Sequence, residues 1–383
     1  MHRLAPSVGG VKDSLRLAAL ATVAVPGLKV VAARATQRET SDFRYGGALD
    51  DQGNSWVIQE PRHAAAALAL DTERAFLDQL ASLPRRDYLP FATVAVAGTA
   101  PAAGEQGWTA IVFPALEGHE LDYRELTPGP GTTRSLARAI AAIHELPHAI
   151  VDAAGLPVYT PETYRQRRLA ELDDAARTGK VPAVLLSRWE HSLEDVSLWR
   201  FAPAVVHGDL ATENVLVHNR AVTAVLNWAS VHVGDPAEDL AWLYAGAPEE
   251  SLDTLEEGYS IGRHEQPDPH LADRALLYSE LALARWLMHG VRLDAQQIVD
   301  DATAMLTDLA AQVRATTPVM DLGTTTPVMD PGVAPVADSA AAVGASAPSP
   351  AEDWTVSGSL SESRAGTPAP SDAPTAPTTS TAL

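Results

Sequence analysis

The chain contains no cysteine. That excludes a disulfide framework, a zinc–thiolate site and a thiol nucleophile, and it fits a reducing cytoplasm. Cations are scarce too. There are 28 Lys and Arg against 49 Asp and Glu, a net charge of −21. This balance argues against nucleic acid or an anionic membrane as the main partner, and it is compatible with cationic small molecules, although surplus acid is often only a solvated surface. No apolar run is long enough to span a bilayer. The Ala-rich stretch 15–25, with Lys12 and Arg16 nearby, has some features of a signal peptide. However, Pro26-Gly27 breaks it and Lys29-Val30-Val31 resumes as a strand, so an amphipathic opening helix is expected. Past Arg314 large apolar residues all but vanish. Residues 315–383 are Pro, Ala, Thr and Ser with scattered acids, and a six-residue unit at 316–321 recurs at 325–330. Such a segment cannot bury enough surface to offset its ordering entropy, and a disordered tail is expected.

What remains is 46% hydrophobic overall and long enough for more than one domain. Residues 42–49 and 55–60 read as two strands, joined by the turn-forming Asp50-Asp51-Gln52-Gly53-Asn54. Gly46-Gly47 lies on the first strand, where either a strand irregularity or a close approach of backbone to a ligand would call for glycine. A helix is expected at 71–81, with Ala75, Phe76 and Leu80 on one side. Glu73 then falls near its start, where a helix dipole alone would favour an acid. Strands are expected at 91–97 and 109–113, with a loop at 98–107 between them. After Leu116 the pattern turns helical. Leu136, Ile140 and Ile143 share one face, further helices are expected at 164–176, 184–193, 276–288 and 298–309, and Ile298, Ala302, Met305 and Leu309 form a stripe on the last.

The most informative segment is His207-Gly208-Asp209-Leu210-Ala211-Thr212-Glu213-Asn214, between the apolar pairs Val205-Val206 and Val215-Leu216. An Asp in a tight loop, with an Asn five residues later and strands on both sides, suits phosphoryl transfer. The Asp orients or deprotonates the attacking hydroxyl, and the Asn offers an amide oxygen to Mg²⁺. Leu226-Asn227-Trp228 follows, with Asn227 where a metal-binding acid would stand. Gly234-Asp235-Pro236-Ala237-Glu238-Asp239-Leu240-Ala241 comes after it.

This ordered set resembles the aminoglycoside and macrolide phosphotransferases, and most of all the macrolide 2′-phosphotransferases, over roughly residues 14–312. The resemblance implies an α+β, two-lobed, protein-kinase-like fold. It would have a small β-rich N-lobe (1–114), a larger helical C-lobe (115–314) and the tail. It implies that Asp209 is the catalytic carboxylate and that His207 supports its loop. Asn214 and Asn227 would be the metal ligands for Mg²⁺. Gln59 stands where a phosphate-contacting Lys or Arg is expected, and Glu73 where a Glu pairs with that cation. Phe113, Pro114 and Ala115 would hold the base of ATP or GTP. The acceptor would lie between Asp209 and the helices at 151–200, with Glu171, Asp173 and Asp174 as candidate contacts to a cationic antibiotic. Asp235 and Asp239 would be mainly structural, and Arg62 could replace the missing cation only if the strand bent at Pro61. The implied protein is a cytoplasmic monomer that phosphorylates a hydroxyl of a macrolide-like or aminoglycoside-like antibiotic or related metabolite. The neutral Gln59 and Asn227 raise an alternative, a relative that binds nucleotide or ligand without turnover. A third reading is a scaffold that acts through its tail.

Overall fold

Short runs buried on both faces build the N-terminal sheet of the computed structural model, which describes residues 8–34, 40–83, 88–103, 107–265 and 268–316. Helix α1 (Val8–Ala24) precedes strands β1 (Val30–Arg34), β2 (Phe43–Asp50) and β3 (Ser55–Pro61). Helix α2 (Ala64–Ala81), β4 (Gly98–Pro101) and β5 (Thr109–Pro114) follow. The five strands form an antiparallel sheet in the order β1-β2-β3-β5-β4. The β2–β3 turn is held by Asp50, whose carboxylate accepts from the Asn54 backbone N–H (2.7 Å) and from the Trp56 indole (3.0 Å). β2 pairs with β3 without a bulge from Phe43↔Pro61 to Leu49↔Ser55, which sets Tyr45 opposite Gln59.

The two faces of this sheet do different jobs. On the outer face Leu17, Ala18, Ala21 and Ala24 of α1 pack against Ala48, Ile58, Ala100 and Val112. Glu60, 1% exposed, ties that face together by accepting from Arg16 (2.8 and 2.5 Å), Arg44 (2.7 Å) and the Ala103 N–H (2.7 Å). The glycine on β2 is explained here. A Cβ on Gly46 would lie 2.5 Å from the Leu17 Cβ, so Gly46 makes room for α1, with no strand irregularity beside it.

Some expected boundaries shift for physical reasons. α2 begins seven residues earlier than residue 71, because the His63 ring accepts from the Ala66 N–H and caps it. Glu73 is therefore in the helix interior, 3% exposed, and not in a first turn where the dipole would favour it. Residues 91–97 do not join the sheet as a strand. Ala92 instead donates to the Thr223 carbonyl (2.8 Å) and accepts from the Val225 N–H (3.1 Å) across the molecule. The strand that completes the sheet is β4, inside the stretch expected to be loop.

The helical part contains the short strand β6 (His119–Glu120), then α3 (Thr132–His144), α4 (His148–Ala153), α5 (Pro161–Arg177) and α6 (Ala183–Glu194). Strands β7 (Ala204–Val206), β8 (Val215–His218), β9 (Ala221–Val225) and β10 (His232–Gly234) follow. It ends with α7 (Ala241–Gly246), α8 (Glu249–Gly262), α9 (Leu271–Arg292) and α10 (Gln296–Thr316). Leu136, Ile140 and Ile143 of α3 are buried, as their spacing predicts. On α10 the packed face is rotated from the expected stripe. Val299, Ala302, Leu306 and Ala310 are buried while Met305 is 49% exposed, since apolar residues occupy two adjacent faces and only one can meet α9. Two small sheets, β6-β8-β9 and β10-β7, sit beneath the N-terminal sheet and carry the loops of interest. The reading of the tail falls outside the described residues from 317 onward.

The packing of α1 on the sheet gives a direct test. Gly46→Ala must displace Leu17, and overpacking of this kind costs about 1–3 kcal/mol. A urea melt should show a lower midpoint with an unchanged slope. An unchanged midpoint would mean that α1 is not seated on this strand.

Candidate active site

The catalytic-type loop is the connection from β7 to β8. Gly208 has φ +78°, and a Cβ there would lie 2.5 Å from the Ser230 carbonyl oxygen, so the loop needs glycine at this point. The His207 ring is fully buried beside Trp228 (4.8 Å between centroids). Its Nε2 faces the Leu226 carbonyl at 2.9 Å, which can only accept, so that nitrogen carries the proton. Nδ1 is then free to accept from the Asp209 N–H (3.3 Å). Burial pushes the His207 pKa down, which keeps this bracket neutral.

Asp239 anchors the loop from below. Its carboxylate accepts from the backbone N–H of His207 (2.7 Å) and of Gly208 (2.9 Å). It also accepts from His144 Nε2 (3.1 Å), while His144 Nδ1 accepts from the Tyr259 hydroxyl (2.7 Å). Burial alone would raise the Asp239 pKa, but the His144 hydrogen bond and charge and the His207 contacts hold it below the usual carboxylate value. Asp235 is likewise buried, paired with Arg274 (2.6 and 3.0 Å) and accepting from the Tyr278 hydroxyl (2.7 Å). Both acids are committed to the framework.

Three predicted residues converge above this base. The Asn214 side chain donates from Nδ2 to the Asp209 carbonyl (2.8 Å), and the Asn214 backbone carbonyl accepts from the Leu226 N–H (2.9 Å). Asn227 follows β9 in the left-handed region (φ 65°, ψ 60°), which Asn tolerates better than most residues. Its Nδ2 donates to Asp209 Oδ2 at 2.8 Å. Glu73 reaches in from α2 and accepts from the Trp228 N–H (3.1 Å), while Phe76 stacks on the Trp228 ring (5.3 Å). The helix of one lobe is thereby latched to the residue after Asn227.

Gln59 and Glu73 share a cleft with Asn227, Phe113, Tyr45 and Leu216. The enclosed space is about 30 Å³, room for little more than a water or two. Tyr45 and the apolar jaws of this cleft were missed by motif reading. Tyr45 could have been found from its position across the hairpin from Gln59. Of the three residues expected to hold a base, Phe113 lines the cleft. Pro114 has no N–H, and the Ala115 N–H is given to the Ser55 carbonyl (2.9 Å). Arg62 is exposed and does not line the cleft, and Pro61 remains in register with Phe43, so the strand does not bend there.

The candidate substrate acids do not converge on Asp209. Glu171 accepts from Arg168 (3.0 and 2.8 Å), Asp174 pairs with Arg177, and Asp173 is exposed on the helix surface. A different group borders the loop. His232 lies 3.1 Å from where a Gly208 Cβ would be, within 3.3 Å of Glu238, and Tyr164 and Arg168 also bond Glu238. Glu238 stands within the quoted 234–241 segment, but His232, Tyr164 and Arg168 carry no motif spacing, because α5 and β10 meet only in the fold.

Asp209 sits in an unfavourable setting for a charge. Burial first, then the nearby Glu213 and Asp239 carboxylates, raise its pKa from 3.8 to about 7, against the opposing hydrogen bond from Asn227. The folded value lies above the unfolded one, so the cost of ionising it is absent below about pH 4, grows through pH 7 and is fully present at pH 8. Asp209→Asn should therefore stabilise the fold at pH 8 by about 1–2 kcal/mol, after discounting for solvent screening at a half-buried site, and by nothing at pH 4. Denaturation at both pH values checks this; equal effects at the two would refute the assigned strain.

The geometry matches known proteins. The family model for the phosphotransferase enzyme family (APH) matches residues 48–277, more than half of the chain. The uncharacterized protein YcbJ of Bacillus subtilis (strain 168) is 27% identical over 227 residues, covering 56% of this chain and 70% of that protein. The fold is similar to the apoenzyme of macrolide 2′-phosphotransferase MphH from Brachybacterium faecium. The TM-score is 0.64 at 23% identity, over 77% of this chain and 98% of that one. It is also similar to the GDP and kanamycin complex of APH(2")-IIia, with a TM-score of 0.62 at 16% identity, over 78% and 99% of the two chains. With the family model spanning the cleft, the catalytic-type loop and its Asp239 anchor, the chain belongs to the phosphotransferase enzyme family, as a small-molecule phosphotransferase with a kinase-like fold.

Proposed function

We propose that this protein acts as a cytoplasmic monomer. It transfers the γ-phosphoryl group of ATP or GTP to a hydroxyl of a macrolide-like or aminoglycoside-like antibiotic or a related metabolite. The observation that carries this reading is the convergence of Asp209, Asn214 and Asn227 beneath the cleft lined by Gln59 and Glu73. The similarity in fold to a macrolide 2′-phosphotransferase and to a GDP and kanamycin complex of APH(2")-IIia supports the donor and acceptor classes. The absence of cysteine accords with a reducing compartment. The family match does not favour a relative without turnover.

In this reading Asp209 receives the acceptor hydroxyl and takes its proton as the oxygen attacks the γ-phosphorus. The bond from that phosphorus to the bridging oxygen breaks, and the nucleoside diphosphate leaves. His207 and Asp239 do not touch substrate; they fix the loop so that Asp209 is aimed correctly. The acceptor lies on the side of α5 and α6, next to His232 and Glu238. The cleft is too narrow as it stands for a base, so nucleotide entry requires the lobes to part around the Glu73–Trp228 latch.

Mg²⁺ belongs to this chemistry, since it neutralises the phosphates of the bound nucleotide. The protein's donor set suits it only in part. Asn214 supplies an amide oxygen, which a hard cation accepts, yet among the described residues no group of three His, Cys, Asp or Glu could hold a metal. The positive charge that the protein presents to the donor phosphates is also reduced, because Gln59 is neutral.

The test is mass spectrometry on a panel of macrolides and aminoglycosides, incubated with the protein, Mg²⁺ and ATP or GTP. A gain of one phosphoryl group on a drug is expected, with Asp209→Ala slower by about 10²–10⁴. No product from folded protein on any acceptor would remove this reading. Separately, Gln59→Lys places a cation beside Glu73 under the donor phosphates. Nucleotide affinity should rise about tenfold, the worth of one charge-assisted hydrogen bond. Unchanged affinity by calorimetry would mean that the phosphates do not pass under β3.

A further inference from the structure

We propose that Asn227 serves this site as a hydrogen-bond donor that orients the Asp209 carboxylate, and not as a ligand to Mg²⁺. The inference rests on the phosphotransferase reading above and assigns Asn227 a different task from the metal-binding acid that the resemblance places there.

Four observations carry it. First, Asn227 Nδ2 lies 2.8 Å from Asp209 Oδ2. When ionised, that carboxylate can only accept, so in the form that takes the acceptor's proton the amide nitrogen is the end that faces it. Second, the position of Asn227 is not adjustable. Its backbone is held in the left-handed region (φ 65°), the preceding Leu226 donates to Asn214 and accepts from His207, and the following Trp228 N–H is taken by Glu73. Third, the contact is one that an acid could not make. An Asp in the same place would bring two carboxylate oxygens to hydrogen-bond distance, which requires either a shared proton or their separation. Fourth, Asp209 is held at both ends by amides, its carbonyl by Asn214 (2.8 Å) and its carboxylate by Asn227 (2.8 Å). The change from acid to amide thus converts a metal-binding position into the second arm of a clamp on Asp209. Asn214 would then be the residue that offers Mg²⁺ an amide oxygen, with the nucleotide's own phosphates supplying the charge.

Three measurements test the proposal. With selective ¹⁵N-asparagine labelling, the Asn227 side-chain amide is assigned by its loss in Asn227→Gly, a residue that keeps the left-handed backbone. In Asp209→Ala its bonded proton should move upfield; an unmoved resonance would overturn the proposal. Next, MgCl₂ is titrated into protein with ADP or GDP, and nucleotide affinity is read by calorimetry. Asn227→Gly should need the same Mg²⁺ concentration as the native chain within twofold, and any larger rise would show that Asn227 ligates the metal. Finally, Asn227→Asp keeps shape and backbone preference but cannot donate. Its turnover should fall about tenfold or more, the scale of a misaimed catalytic group, with a smaller change in acceptor KM. A rate equal to or above the native one would restore the metal-ligand reading. If the native chain phosphorylates nothing on the panel, the functional reading fails, while the amide shift and the Mg²⁺ titration still decide the role of Asn227.

Discussion

The site depends on one buried carboxylate, Asp239. Two consecutive backbone N–H groups, those of His207 and Gly208, end on its two oxygens, and His144 supplies a third bond from the end of α3. A loop that turns sharply through a left-handed glycine leaves its amides pointing inward, and buried amides without partners are costly. Asp239 satisfies them and so fixes where Asp209 stands. The same carboxylate also adds to the charge that makes Asp209 hard to ionise. The framework that positions the catalytic group therefore also strains it, and the Asn227 amide offsets part of that strain.

The rest of the molecule can be understood as keeping this arrangement in place. Asp235, four residues before Asp239 and directly before the turn that carries it, is neutralised by Arg274 on α9 and so ties the segment to the helical core. Trp228 is enclosed between His207 and Phe76, and its backbone N–H is held by Glu73. One helix of the N-terminal lobe thus reports directly on the end of β9. The seating of that helix is thereby coupled to the segment beside Asp209.

Much of this was legible in the sequence where the relevant residues are local. The hairpin of β2 and β3 follows from two strand-like runs and the turn-forming residues 50–54 between them. The α3 face follows from the spacing of Leu136, Ile140 and Ile143. The catalytic-type loop is a contiguous motif, and the fold it implies is the one found. What could not be read depends on contacts between distant segments. Gly46 suggested a strand irregularity or a close approach to a ligand, but its reason is Leu17, some thirty residues away on α1. Residues 91–97 have a strand's composition, yet their partner is β9 of the other lobe. Glu171 and Asp174 looked available to a cationic substrate because sequence does not reveal that Arg168 and Arg177 already neutralise them. His232 and Glu238 were passed over for the converse reason: only the fold brings them to the loop.

The two departures from the family pattern are best considered together. Gln59 removes a positive charge from the cleft and Asn227 removes a negative one, and both line the same enclosed space with Glu73. Loss of the cation alone would leave Glu73 and an acid at 227 facing each other across a narrow, poorly solvated gap, where like charges are costly. Loss of the acid alone would leave a buried cation opposite one carboxylate. Losing both keeps the net charge of the cleft unchanged, with Glu73 bound by the Trp228 amide rather than by a lysine. The neutral pair is therefore a self-consistent cleft rather than two independent defects. Its consequence is that the site holds Asp209 through the geometry of the two asparagine amides rather than through added charge.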